Sequence, residues 1–448
     1  MEIKGKNITI IGAGKSGVGS ARLIKKLGGV PFVSDSANEK KVEKYTTMLK
    51  EINVEYETGM HSKRVYDCDL MIISPGVPSD AKVIMNAKQK NIKVIGEVEL
   101  ASVFCKGTVI AITGTNGKTT TTSLCGYLFQ NCGATTYVTG NIGNAFSEIV
   151  LAATDKDFIV LEVSSFQLDM IEKFKPKIAV ILNITPDHLN RYENKLENYI
   201  YSKFRIFKNQ DKTDYLLVNR DDKTIEKFLS PHNSRDFNFS LNETQSNGCF
   251  RLNEKIIMNR NGEKVFECEA SDIFIPGDHN VANAMAAISA VKLFDFDNDK
   301  IIEGLRSFKG VEHRLEFVRE MDGVKYINDS KATNVDSVWY ALKSFQEPIF
   351  LILGGQDKGN DYNQIKDIVL KKVKKIYAIG SSASTVFNFF HKEVKVEICN
   401  SLEDAVIAAN KEAREGEVVL LSPACASFDM FENFEHRGKI FKELVNRL

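Results

Sequence analysis

The sequence predicts an α/β protein of three domains built on mainly parallel sheets. Three observations carry that prediction. Short, continuous apolar runs recur along the chain, and these suit strands covered on both faces. The runs alternate with stretches of helical character. The chain has 448 residues, and roughly 150 residues per domain suggests about three domains. Composition agrees: 43% of residues are apolar and 26% charged, ordinary for a globular chain able to bury sizeable cores. Lys+Arg and Asp+Glu number 59 each, a net charge of zero. That balance excludes the overall basic footprint of a nucleic-acid binder. The eight cysteines include no CxxC pair, so neither a zinc site nor a thioredoxin-type motif is signalled. The polar start Met1–Asn7 has no apolar run of the secretory type, and no stretch approaches the ~18 residues of a membrane span. The expectation is a cytoplasmic protein with free thiols.

The elements follow in order. Asn7–Ile11 is apolar and β-branched, then glycine-rich, and gives way to a helical stretch Gly17–Leu27. Pro31–Ser34 and Leu70–Ser74 read as further strands. A first boundary falls near Glu97–Gly107, where a new α/β unit begins. Val109–Thr113, Phe158–Val163, Ile178–Asn183 and Tyr215–Asn219 are the strands of that unit, with helical stretches at Leu196–Phe207 and Asn280–Phe294. Asp236–Asp272 is polar and strand-like, with turn signals at Asn247-Gly248 and Asn261-Gly262, and predicts an antiparallel insertion. A second boundary falls near Lys309–His313. Ile349–Leu353, Ile376–Ile379 and Val418–Leu421 are the strands beyond it. Lys371–Lys375 is the densest charge run and reads as a solvated helix end.

Chemistry concentrates at strand ends. Gly114-Thr115-Asn116-Gly117-Lys118-Thr119 lies between a strand and a helix. Backbone amides in such a turn attract phosphate, and Lys118 would then reach its terminal oxygens while the Thr119 hydroxyl could face Mg²⁺; the alternative is a plain glycine turn that opens a helix. The string departs from the full nucleotide-loop pattern, which wants glycine where this chain has Ile112. Gly12-Ala13-Gly14-Lys15-Ser16-Gly17 matches G-x-G-x-x-G, with Asp35 at the end of the next strand, where a ribose-binding acid sits. A nicotinamide dinucleotide and another diphosphate both fit that pattern. Glu162 ends a strand near the phosphate loop, a position suited to Mg²⁺ or to a helix-capping carboxylate. His188 follows the next strand and is open to metal, substrate or purely structural roles. Lys203 lies among Tyr199, Ile200, Phe204 and Phe207, where a lysine is expected to snorkel to solvent. Three tight loops follow strands in the last third: Asn328–Asn334, Gly354–Gly359 and Ser422–Ser427. Two of them carry lysine, which suggests an anionic ligand.

Together these motifs resemble the Mur ligases, ATP-dependent amino-acid ligases of peptidoglycan synthesis, over essentially the whole chain. The resemblance rests on Gly114–Thr119, Glu162–Leu168, Asn183–Leu189, Gly277–Asn283, Glu312-His313-Arg314 and Asn328–Asn334. The ending Leu421–Phe431 with Phe434–Gly438 is similar to the D-glutamate-adding members. The resemblance implies a Rossmann-like domain over 1–98 for UDP, a central P-loop ATPase-like domain over 99–310, and a Rossmann-like amino-acid-binding domain over 311–448. It implies an acyl-phosphate route joining D-glutamate to UDP-N-acetylmuramoyl-L-alanine, in a protein expected to be a monomer.

By that resemblance, Gly114, Thr115, Asn116, Gly117, Lys118, Thr119 and Thr120 cradle ATP, with Asn283, Arg314 and Asp329. Thr119, Glu162, His188 and an N-carboxylated Lys203 serve two Mg²⁺ ions; Lys118, Glu162, His188, Lys203 and Arg314 are the catalytic set. Lys15, Ser16, Asp35 and Ser36 match the uridine diphosphate site, with Ser74, Asn141 and His188 along the substrate. Thr333, Lys358, Ser427 and Phe434 match the D-glutamate site. A basic residue often follows the Asp-Ser/Thr pair in this family, but here the position is Ala37, which leaves the uracil-side contacts open. Folylpolyglutamate synthase-like ligases share the middle motifs but not the N-terminal fingerprint, and an NAD-dependent oxidoreductase is the alternative from another class.

Overall fold

The computed structural model describes residues 1–357 and 359–448 and contains three sheets. The first has five parallel strands: β1 (Asn7–Ile11), β2 (Val30–Asp35), β3 (Glu55–Thr58), β4 (Leu70–Ile73) and β5 (Val94–Gly96), in the order β3-β2-β1-β4-β5. The chain reverses direction of travel across the sheet between β1 and β4. That switch point leaves a crevice beyond their carboxyl ends, where the glycine fingerprint follows β1 and Ser74 follows β4.

The second sheet contains β6 (Thr108–Thr113), β7 (Thr136–Gly140), β8 (Phe158–Glu162), β9 (Ile178–Ile181), β10 (Tyr215–Asn219), β11 (Arg235–Ser240), β12 (Gly248–Leu252), β13 (Lys255–Arg260) and β14 (Glu263–Glu269). Its order is β14-β13-β12-β11-β10-β9-β6-β8-β7. The neighbours β9, β6, β8 and β7 run parallel, so the loops after all four open on one edge. The predicted antiparallel insertion is confined to β12–β14. β11 instead joins β10 in parallel, and β12 joins β11 in parallel.

The third sheet contains β15 (Glu316–Met321), β16 (Val324–Asn328), β17 (Ile349–Gly354), β18 (Val373–Ile379), β19 (Lys395–Ile398) and β20 (Val418–Leu421), in the order β15-β16-β20-β17-β18-β19. Because β16, β20 and β17 are parallel neighbours, the three loops singled out in the sequence share one edge. The lysine run at 371–375 is split. Lys371 and Lys372 end the helix Asn363–Lys372, while Lys374 and Lys375 belong to β18 around the buried Val373.

The chain forms two compact units: Met1–Asp272 with Ala282–Leu305, and Ile273–Val281 with Arg306–Leu448. The first two sheets share one unit because a single apolar cluster runs from Ile8, Ile10 and Val18 to Phe146, Leu161 and Ile181. Two buried glutamates fasten it. Glu97 accepts from the Ser147 amide at 2.6 Å, and Glu99 accepts from the amides of Glu172, Lys173 and Phe174. Among the described residues no helix is long and apolar enough to cross a membrane.

Candidate active site

The loop after β6 is fixed by its backbone conformation and by a neighbouring segment. Gly117 precedes the helix Lys118–Asn131 with φ of 82°, and a Cβ there would lie 2.4 Å from Asn283 Oδ1. Glycine is therefore needed for both the left-handed backbone and the Asn283 approach. The neighbouring 183–185 segment fastens the loop. The Thr115 amide donates to Asn183 O at 2.9 Å, the Asn116 amide to Asn183 Oδ1 at 2.8 Å, and the Thr185 amide to Thr115 Oγ1 at 3.0 Å. Thr119 and Thr120 are buried in the first turn of the helix. The amides of a helix N-terminus suit phosphate.

Two lysines converge on this loop. Lys118 Nζ donates to Gly114 O at 2.9 Å and Thr115 O at 2.6 Å, and Lys203 Nζ donates to the same Gly114 O at 2.7 Å. The expected snorkelling of Lys203 is not observed: the residue is 1% exposed, with its amine 4.6 Å from the Tyr199 ring centroid. Its helix, Leu196–Phe204, presents Tyr199 and Lys203 one turn apart, and the amine points inward to the loop. Burial, and then the Lys118 charge, hold its pKa well below the ordinary lysine value.

Glu162, at the end of β8, is not a helix cap. Ser164 caps the following turn, Ser165–Leu168, through a capping box with Gln167. Glu162 Oε1 accepts from Asn141 Nδ2 at 2.9 Å, while Oε2 is buried without a hydrogen-bond partner. His188, after β9, is exposed and left-handed at φ 51°, 5.1 Å from the Phe166 ring. Arg191 Cζ lies over the same ring, 4.0 Å from its centroid, and the guanidinium donates to Val77 O at 3.1 Å. It thus ties the His188 segment to the loop after β4.

That loop borders an open cavity of about 700 Å³, whose lining includes Lys15, Ser16, Asp35, Ser36, His61 and Ser74. A Cβ at Gly17 would come within 2.0 Å of Gly12 O, so the fingerprint turn closes tightly around its third glycine. Asp35 accepts from the Ala13 amide at 2.7 Å and the Ala37 amide at 2.8 Å, which fixes the loop to the end of β2. Ser74 Oγ donates to Gly12 O at 3.0 Å. His61, which the sequence reading did not single out, lies on the same wall. Nothing around a lone histidine in a polar turn marks it in the sequence.

In the second unit, Arg314 lies in a loop whose flanking residues His313 and Leu315 have φ of 64° and 43°. Asp329 accepts from Ser422 Oγ at 2.7 Å and from the Leu315 amide at 3.2 Å, and burial pushes its pKa up to about 7. Thr333 is half-buried and Ser427 is buried. Lys331 Nζ lies 5.7 Å from the Phe434 ring centroid. Lys358 lies outside the described residues.

Arg437, which the sequence places in the Phe434–Gly438 motif without assigning it a role, staples these loops. Its fully buried guanidinium donates to Ser330 Oγ at 2.9 Å, Ser330 O at 2.8 Å and Cys425 O at 3.1 Å.

Family models match in chain order: the MurD N-terminal domain over 7–83, the Mur ligase middle domain over 112–291, and the Mur ligase glutamate ligase domain over 313–425. A UDP-N-acetylmuramoylalanine–D-glutamate ligase of Christiangramia forsetii is 46% identical, over 99% of this chain and 100% of that protein. The ligase of the same name from Salinibacter ruber is 41% identical, over 100% of this chain and 99% of its own. The crystal structure of the UDP-N-acetylmuramate–alanine ligase of Thermotoga maritima shares the fold, with a TM-score of 0.64 at 20% identity and 99% of both chains covered. The chain belongs to the Mur ligase family.

Proposed function

We propose that the chain joins D-glutamate to the carboxyl group of UDP-N-acetylmuramoyl-L-alanine, driven by ATP. A carboxylate is a poor acyl donor because its leaving group would be oxide. One of its oxygens therefore attacks the γ-phosphorus of ATP, the bond to the bridging oxygen breaks, and ADP leaves. The D-glutamate amine attacks the resulting acyl phosphate, phosphate departs with the carboxylate oxygen, and the nitrogen loses a proton to leave the amide. The first step brings like charges together, and Lys118 on the phosphate loop, with Arg314, offsets them.

The residues around the loop suit magnesium. Glu162 keeps one buried oxygen with no protein partner, and a hard cation prefers such a ligand. Thr119, His188 and an N-carboxylated Lys203 complete a donor set for two ions. Bound magnesium would supply charge neutralisation at the phosphates. The buried Lys203 amine, held neutral, adds CO₂ with loss of one proton, and an amine that would repel a cation becomes an anionic oxygen ligand. Lys15, Ser16, Asp35, Ser36 and Ser74 take the uridine diphosphate, and Asn141 lies along the rest of that substrate. Thr333, Lys358, Ser427 and Phe434 take D-glutamate. The enzyme acts as a cytoplasmic monomer.

The observation that carries this reading is the convergence of two lysine amines on Gly114 O in a chain 46% identical over its length to a D-glutamate ligase. The related alternative, a folylpolyglutamate synthase-like ligase, does not account for the N-terminal match. The oxidoreductase alternative does not account for any of the relatives. Substrate labelled with ¹⁸O in the alanyl carboxylate tests the acyl-phosphate route. Mass spectrometry should find one labelled oxygen in the released phosphate, and unlabelled phosphate with intact product would refute it.

A further inference from the structure

This inference rests on the uridine diphosphate reading above and concerns the base. We propose that His61 selects uracil by accepting the hydrogen bond of its N3–H at Nε2.

The chain of hydrogen bonds behind His61 fixes which nitrogen is the acceptor. Ser34 Oγ lies 2.6 Å from Glu57 Oε1 and 2.7 Å from His61 Nδ1. Ser34 has one proton. Glu57 is held below the ordinary glutamate range by its bonds from Ser34 and Ser62, which outweigh its partial burial, so it is an ionised acceptor. It also takes the Ser62 amide at 3.0 Å. The serine proton therefore goes to Glu57, and Ser34 Oγ can only accept from His61. Nδ1 carries the imidazole proton, and Nε2 keeps its lone pair.

The ring is half-buried, and burial holds its pKa below the ordinary histidine value against the opposing pull of Glu57 and Asp35. It is thus neutral at neutral pH. No Nε2 partner occurs among the described residues, and the ring lines the same cavity as Asp35, Ser36 and the fingerprint residues Gly12, Gly14, Lys15 and Ser16. The Asp35 carboxylate is already engaged by the Ala13 and Ala37 amides. Uracil offers a donor at N3, whereas cytosine offers an acceptor there. An oriented acceptor at His61 therefore distinguishes the two bases, and a neutral hydrogen bond of this kind is worth about 3–10-fold in affinity.

The test is calorimetric titration of the full chain with UDP, CDP and UMP at neutral pH. His61→Phe retains ring bulk without the acceptor, and Ser34→Ala frees the imidazole tautomer. Wild type should prefer UDP to CDP by about 3–10-fold. His61→Phe should lose that preference, chiefly by binding UDP more weakly, and Ser34→Ala should reduce it. The bound UDP imino proton should be visible by NMR in wild type and exchange-broadened in His61→Phe, a signature that a merely structural histidine would not produce. An unchanged UDP/CDP preference in folded His61→Phe, or an imino proton indifferent to the substitution, would overturn the assignment. Failure of wild type to bind UDP or UMP at all would instead overturn the uridine diphosphate reading itself.

Discussion

Lys203 owes its chemistry to where its amine ends, 2.7 Å from Gly114 O and beside Lys118, rather than to its neighbours in sequence. In the one-dimensional string it is an amphipathic lysine among aromatics, and only the family resemblance marks it. Lys203→Ala should leave a folded protein with almost no ligase activity. Acetate or propionate, at ionic strength matched with chloride, should restore part of that activity by supplying the missing carboxylate. An inactive, folded variant without rescue would confine the lysine to a positioning role, and near-wild-type activity would remove it from the site.

Asp329 gives a second prediction, with a definite sign. Its folded pKa of about 7 stands above the ordinary value of 3.8, so the native state binds the proton more tightly than the unfolded chain does. The associated stability is fully present below about pH 4 and lost as pH rises through about 7, a difference of up to about 4 kcal/mol. Asp329→Asn should therefore raise the melting temperature most at pH 8, with the gain shrinking as pH falls toward 5, while ligase activity drops. A gain independent of pH would show that Asp329 is not the strained group.

At the scale of elements, the C-terminal edge of the third sheet depends on one side chain from the last helix. Arg437 bonds carbonyls of two loops, after β16 and after β20, and its hydrogen-bond partners among the described residues include no carboxylate. Arg437→Met would leave those carbonyls buried and unpaired, at about 1–3 kcal/mol for each group. Denaturant titration should register that loss. In whatever fraction folds, the D-glutamate KM should rise more than the ATP KM, with Arg437→Lys intermediate. Equal KM values in variant and wild type would mean the staple serves stability alone.

Many of the strands were legible because each is a short apolar run buried on both faces: β1, β4, β6, β8, β9, β17, β18 and β20. β3, β7 and β19 were not. They lie at sheet edges, and Glu55–Thr58 and Lys395–Ile398 alternate polar with apolar residues and read as loop. β15 and β16 form a hairpin around Asp322-Gly323, a turn signal the sequence reading passed over.

For the whole molecule, the segment predicted as the first boundary proved to be largely a buried helix, Glu97–Ser102. Its two glutamates bond backbone amides far away in sequence, which no local pattern reveals. The glycine fingerprint and the loop after β6 therefore share one continuous unit, while Arg314, Asp329, Thr333, Ser427 and Phe434 belong to the other. Motif order along the chain was readable, and which loops become neighbours followed from strand order alone.

The most direct measurement is phosphate release from ATP by the purified chain with Mg²⁺, UDP-N-acetylmuramoyl-L-alanine and a panel of amines. D-Glutamate should support turnover, with stoichiometric ADP and a product heavier by one glutamyl residue, while L-glutamate, L-alanine and diaminopimelate should not. Turnover with L-alanine or diaminopimelate in place of D-glutamate, or phosphate release indifferent to the amine, would contradict it.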